Sequence, residues 1–371
     1  MPDRPRIALF LPTLDDGGAE RVMLQLGASF RDRGYPVDLV VGIPGGPLDS
    51  QVPPGVRVVD LRAKRSVASL PPLVRYLRRE RPAALLATLE HSNILAVWAN
   101  ALSLTRTRVV LREANVLLPR DQMKGARPHV LRALMRVFYR QAATIVCVSE
   151  SVADSLRDGL GVAPDRLRTI YNPVVTPAIA TKAQAALDDP WFADGAPPVV
   201  MGVGRLAPQK DFSTLIRAFA LVRRERPARL VILGEGEERA ALEALARELG
   251  VADDVRLPGY DHNPFRFMAR AQVFALSSIF EGLPGALIQA MACGCRVIST
   301  DCPGGSREIL AGADPTRGAL VPMRDPAALG RGIAALLDDA ARGPARVRHD
   351  VARFTEEASI DQYLDVLGVR A

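Results

Sequence analysis

Lysine is almost missing from this chain. Lys64, Lys124, Lys182 and Lys210 are its only lysines, so arginine carries nearly all of the positive charge behind a net +7. Aromatic residues are also few, at 5% of the chain, and do not interleave with the arginines. That excludes a stacking platform for single-stranded nucleic acid, and no nucleic-acid partner is expected. The four cysteines, Cys147, Cys293, Cys295 and Cys302, lie in or beside apolar runs. The Cys293-x-Cys295 pair is tighter than ordinary zinc-ligand spacing and Cys147 is remote, so they read as reduced structural residues of a cytoplasmic protein. No Asp-x-Asp occurs, so no paired-acid metal clamp is indicated, and neither a metal nor a cofactor is expected. No long apolar run exists either. The longest apolar region, Ala83 to Leu104, is broken by Glu90, His91, Asn93 and Asn100, so it is a strand plus a helix and no membrane span. The start, "PRIALFLPTLDDGG", has an apolar run that is short and ends in two aspartates, unlike a signal peptide. Membrane contact, if it occurs, is then peripheral.

What is present is a hydrophobic content of 48% and a regular alternation of short β-rich runs with longer helical patterns. Strands are expected at 7–11, 37–41, 56–60, 84–87, 108–111, 144–148 and 167–170, with helices at 19–33, 72–80, 93–102, 128–141 and 151–160. A Pro-, Ala- and Asp-rich stretch follows, and then the alternation restarts. Strands are expected at 199–203, 229–233, 255–257, 273–275 and 296–299, with helices at 213–226, 237–249, 263–270, 286–292 and 326–339. The pattern predicts an α/β chain of two Rossmann-like domains facing a central cleft. Their limits are 1–172 for the first, a linker over 173–197, and 198–352 for the second. A helix in 353–371 is expected to pack back on the first domain.

Three stretches after strands carry chemistry. In "TLDDGGAERVML", Gly17 and Gly18 open a helix and permit close backbone approach to an anion; a plain tight turn would use the same glycines. This is not the Gly-x-Gly-x-x-Gly dinucleotide fingerprint. In "MGVGRLAPQKDF", Gly202 and Gly204 turn the chain and place Arg205 and Lys210 just past a strand end, where phosphate oxygens would meet a planar fork and a point charge. A solvated loop is the plainer reading. In "FEGLPGALIQAMACG", Glu281 precedes the turn Gly282-Leu283-Pro284-Gly285, and Gln289 lies about one helical turn further on. A carboxylate there accepts hydrogen bonds from hydroxyls; as alternatives Glu281 is a helix cap and Gln289 a satisfied core amide.

The set GGAER, GxGRLxxxK, EGLPxxLIxAMACG and TDCPGGxREIL resembles glycosyltransferase family 4, the retaining, metal-independent enzymes of the GT-B architecture, over nearly the whole chain. The resemblance implies a nucleotide diphosphate sugar, UDP-linked, held mainly by the second domain. It implies Arg205 and Lys210 on the diphosphate, Glu281 on the donor sugar, Gln289 on the ribose, and Gly17 and Gly18 near the phosphates. "LPGY", ending in Tyr260, resembles the segment whose backbone meets the base. Two departures stand out. The family pattern has glutamate where Gln289 stands, and proline where Arg296 stands. An amide still offers one carbonyl acceptor.

The first domain is expected to hold the acceptor, a lipid-linked or cell-surface glycan. "TLEHSN" and "VVLREANV" follow strands, which nominates His91, Arg112, Glu113 and Asn115 as acceptor-side groups, with His91 either a general base or simply structural. "KGARPHVLRALMRVFYRQAA" spaces Arg132, Arg136 and Arg140 four apart, opposite Leu131, Leu134, Val137 and Phe138. That is an interfacial helix for an anionic membrane surface over Lys124–Ala143, or an ordinary surface helix with its apolar side inward. Two other functions stay open: a UDP-sugar epimerase on the same fold, and a nucleotide-sugar-binding protein weakened in catalysis by Gln289.

Overall fold

A computed structural model describes residues 4–15, 17–117, 125–311, 314, 316–343 and 345–370. The chain forms two compact units, Met1–Pro173 together with Arg353–Ala371, and Val174–Ala352.

The first unit holds strands Ile7–Leu11 (β1), Val37–Val41 (β2), Arg57–Asp60 (β3), Ala84–Thr88 (β4), Arg108–Glu113 (β5), Thr144–Cys147 (β6) and Leu167–Thr169 (β7). Between them run helices Gly18–Asp32 (α1), Leu70–Glu80 (α2), Glu90–Ser103 (α3), Ala126–Phe138 (α4) and Glu150–Leu160 (α5). Every strand pairing is parallel, in the order β3-β2-β1-β4-β5-β6-β7. The central strands are covered on both faces; β1, β2 and β4 are buried at every residue and apolar except for Thr88 and for Asp38, which is paired with Arg6 and Arg57. α5 starts where Ser149 Oγ accepts from the Val152 N–H and stops at Gly161, in the left-handed region.

The second unit holds β8 (Val199–Val203), β9 (Arg229–Leu233), β10 (Val255–Gly259), β11 (Val273–Leu276), β12 (Arg296–Thr300) and β13 (Gly318–Val321). Its helices are α6 (Pro177–Ala183), α7 (Phe212–Glu225), α8 (Arg239–Glu248), α9 (Phe265–Met268), α10 (Gly285–Ala292), α11 (Ser306–Leu310) and α12 (Pro326–Arg342). The sheet is again parallel, ordered β10-β9-β8-β11-β12-β13. Its core packs Leu215, Ile216 and Phe219 of α7 with Ile333 and Leu336 of α12 and Leu230 and Ile232 of β9. Asp211 and Asp325 cap α7 and α12 by accepting from the N–H groups of Thr214 and Ala328.

The last helix, Glu356–Leu367 (α13), belongs to the first unit. Tyr363 packs edge-on to Phe30 of α1, and the Tyr35 hydroxyl donates to the Val369 carbonyl. In each sheet the strand order reverses at one place, between β1 and β4 and between β8 and β11. In open parallel sheets that reversal leaves room for a ligand beyond the carboxyl ends of the strands.

Candidate active site

At the reversal in the second unit the β8 loop and the β11 loop come together. Lys210 lies at the end of the first and Glu281 in the second, 71 residues apart, and Lys210 Nζ stands 2.6 Å from Glu281 Oε1. The Ser278 hydroxyl donates to the same oxygen at 2.6 Å. The Lys210 carbonyl accepts from the Ser277 hydroxyl, and the Gln209 amide donates to the Phe280 carbonyl, so main chain and side chain fix both partners. Glu281 is only 6% exposed. Among the described residues its second oxygen, Oε2, has no hydrogen-bond partner and is not sealed from solvent. A buried carboxylate thus keeps one oxygen neutralised and offers the other. Arg205, on the same β8 loop, is exposed.

The loop after β12 holds Glu281 in place. Gly304 has φ +127, and a Cβ there would overlap the Glu281 carbonyl oxygen; the Glu281 N–H donates to the Pro303 carbonyl and the Gly305 N–H to that of Gly282. Gly282, Leu283 and Pro284 are buried in this turn and lead into α10. Gln289 is half-buried on α10, with no side-chain partner among the described residues.

Sequence reasoning passed over Gly234 and Gly236, in "GEGE" directly after β9. Their signal was the strand end itself. Gly234 has φ +139, and a Cβ there would overlap the Gly204 carbonyl oxygen; a Cβ on Gly236 would overlap that of Leu206. The Gly204 N–H donates to the Leu233 carbonyl, the Leu206 N–H to that of Glu235, and the Gly234 N–H to that of Gly259. These glycines let the loops after β8, β9 and β10 lock backbone to backbone. Tyr260, beyond β10, is exposed and meets His262 edge-on. Gly234→Ala should cost ~2 kcal/mol of stability, a strained backbone plus a displaced β8 loop. A variant that melts like the parent in calorimetry would show that the loop yields freely.

In the first unit, Gly17 and Gly18 do open α1 at the β1–β4 reversal. Gly18 has open space around it, but the Glu20 carboxylate curls back over Gly17, where an added Cβ would overlap it. An anion reaching Gly17 has to displace that carboxylate. His91 and Asn115 are exposed, His91 in the first turn of α3 after Leu89, whose φ is +73.

Arg112 and Glu113 are corrections to the expectation of two acceptor-facing groups. Consecutive strand residues point to opposite faces, and helices cover both faces of β5. Arg112 is 1% exposed; its Nη1 donates to Thr88 Oγ1 at 3.0 Å and its Nη2 to Asn172 Oδ1 at 2.7 Å. Glu113 is buried on the other face, where the Tyr139 hydroxyl donates to its Oε2 at 2.7 Å, and Asn93 Nδ2 donates to that hydroxyl. Burial, then the neighbouring Glu90 carboxylate, push Glu113 up to about 8.

The arginine stripe of α4 is also turned round. Arg132 and Arg136 point at the last turn of α5, where their Nη2 atoms donate to the Gly159 carbonyl at 3.3 and 2.9 Å, cations at the negative end of a helix. Of the stripe only Arg140 is exposed. Lys124 lies outside the described residues.

Two family models cover the chain in succession. Residues 16–177 match Glycosyltransferase Family 4, and residues 184–357 match Glycosyl transferases group 1. A Campylobacter jejuni N-acetylgalactosamine-N,N'-diacetylbacillosaminyl-diphospho-undecaprenol 4-alpha-N-acetylgalactosaminyltransferase is 31% identical over 251 residues, 68% of this chain and 66% of that protein. The lipopolysaccharide core biosynthesis glycosyltransferase LpsE of Rhizobium meliloti is 29% identical over 95% of this chain and 96% of its own. Among solved structures, Anabaena Alr3699/HepE in complex with UDP superposes with a TM-score of 0.70 at 18% identity, covering 97% of this chain and 99% of that one. A glycosyltransferase from Rickettsia africae reaches 0.77 at 16%, covering 98% of each. The chain belongs to glycosyltransferase family 4 and has its GT-B fold of two Rossmann-like domains.

Proposed function

We propose that the protein is a retaining, metal-independent glycosyltransferase. It moves a hexose-type sugar from a UDP-linked donor to a lipid-linked or cell-surface glycan, working from the cytoplasmic side of a membrane. The observation that carries this reading is the Lys210–Glu281 pair at the strand-order reversal of the second unit, with Glu281 Oε2 left open. As the bond from sugar to diphosphate breaks, negative charge grows on the leaving oxygens. Lys210, held by Glu281 before the reaction starts, and the exposed Arg205 are the cations for it. Glu281 Oε2 takes a hydroxyl of the donor sugar, and Gln289 a hydroxyl of the ribose. On the acceptor side His91 and Asn115, which are exposed, meet the glycan. UDP bound to the HepE structure, and the diphospho-undecaprenol acceptor named for the Campylobacter relative, support the donor and acceptor classes.

The test is turnover with UDP-hexoses and an isoprenoid-diphosphate-linked glycan, followed by UDP release and by NMR of the new linkage. UDP release should need the acceptor, and the anomeric configuration of the donor should survive in the product. Activity should persist in excess chelator, because the cations of the β8 loop stand in for a metal. Inverted product, or activity that only magnesium or manganese restores, would refute those parts of the reading.

A further inference from the structure

Helices α3 and α4 break the usual rule for surface helices. α4 contains no acidic residue and turns Arg132 and Arg136 inward to the Gly159 carbonyl. Its outer face then carries Val130, Leu134 and Val137 beside His129 and Ala133, with Val130 and Val137 each 57% exposed. Next to it, Trp98 of α3 lies against Phe138 of α4 with ring centroids 6.0 Å apart. Leu102, one turn after Trp98, is exposed, and Leu104, where α3 ends, is 86% exposed. Most of the large apolar side chains that the described residues leave in water are gathered on this pair of helices and the turn after α3. Scattered exposed leucines need no explanation; a patch built from one face of two packed helices does.

The rim sets the partner. Arg78, Arg81 and Arg106 ring the turn at Leu104, and Arg140 is exposed past the end of α4. The single acid of α3, Glu90, is at its far end. Two copies of this face would bring like-charged rims together, which disfavours self-association. An apolar centre with a tryptophan, edged by arginines and with no acid on α4, suits the headgroup layer of an anionic lipid surface, the nearby Glu80 being paired with Arg57 and Arg79.

We propose that the α3–α4 face is where this protein rests on an anionic bilayer, with Trp98, Leu102, Leu104, Val130, Leu134 and Val137 in the acyl boundary and the rim arginines among the headgroups. The face that inserts is the apolar one, while Arg132 and Arg136 of the stripe are turned inward to α5 and do not reach the headgroups. The claim does not depend on the donor site.

The experiment uses the full chain and vesicles of phosphatidylcholine with one quarter phosphatidylglycerol. The chain has two tryptophans, and Trp191 is buried beneath Arg229 and Arg256, so a Trp191→Phe background makes Trp98 the reporter. Vesicles should blue-shift Trp98 emission, and brominated lipid should quench it. Val130→Ser, Leu134→Ser and Val137→Ser together should lower the partition coefficient by ~10-fold or more, since apolar area in the acyl region is lost. Melting temperature and UDP affinity should stay at the parent's values, which separates failure here from failure of the proposed function. Arg106→Gln with Arg140→Gln should weaken binding and remove part of its salt dependence. Vesicle binding that the serine variant leaves unchanged would overturn the proposal. So would a Trp98 signal indifferent to lipid, or a concentration-dependent dimer that the same variant abolishes without vesicles.

Discussion

Lys210→Ala should weaken UDP by ~30-fold or more and lower kcat/KM at least as far. A charge-assisted hydrogen bond to a phosphate is worth ~2 kcal/mol, and at that value alone the loss is ~30-fold. The structure adds a second penalty. Removing Lys210 leaves the buried Glu281 carboxylate with the Ser278 hydroxyl and no cation, facing the place assigned to the diphosphate. The residual negative charge repels the ligand, and an unpaired buried charge destabilises the unit. Glu281→Gln alone should therefore leave UDP affinity near the parent's, because it frees Lys210 for the diphosphate. Turnover should still fall ~10-fold or more, because the open carboxylate oxygen that meets the donor sugar is gone. The double variant is the discriminating one: it should bind UDP more tightly than Lys210→Ala by a few-fold. Calorimetric titration of the three variants decides. Losses that simply add would mean the two residues act independently, and the ion pair would then be incidental to binding.

That pairing marks how far the sequence could be read. Glu281 and Lys210 were each legible, because a carboxylate before a Gly-Pro-Gly turn and a rare lysine after a strand are local features. Their contact was not, since it depends on β8 and β11 lying side by side, which no spacing encodes. The strands were legible because both faces of a parallel sheet are covered, leaving unbroken runs such as "IALFL". β13 and α11 went unread. "GALV" is mostly half-exposed with a glycine at its start, and "SREIL" is too short to show a helical period. The stripe of α4 was visible as a period, but a period does not say which face is inside. Arg132 and Arg136 look solvent-facing until Gly159 is found opposite them. Arg112 and Glu113 misled for a related reason. Polar residues at a strand end normally suggest a ligand, whereas here each is consumed by partners in the interior.

Glu113 leads to the other large expected effect, a fall in the stability of the first unit as pH rises. Its side chain is fully buried, and the Tyr139 hydroxyl is the hydrogen-bond donor seen on Oε2. Burial first, and the Glu90 carboxylate second, raise it from 4.5 to about 8. Glu90 is itself raised by burial. In the unfolded chain Glu113 ionises near 4.5. Between these values the folded state holds a proton that the unfolded state has released, so rising pH favours unfolding. The stability that the protonated carboxyl contributes is whole below about 4.5 and is lost progressively as pH passes through about 8. If fully expressed, that difference is on the order of 5 kcal/mol, an upper bound because the interior can relax. Glu113→Gln preserves size, keeps a carbonyl to accept from Tyr139, and cannot ionise. Its melting temperature should stay nearly level from pH 5 to 9 while the parent's falls, with the two closest at acid pH and the variant ahead above pH 8. Parallel melting curves across that range would mean that Glu113 is already ionised in the fold, with its charge balanced by a group other than Tyr139.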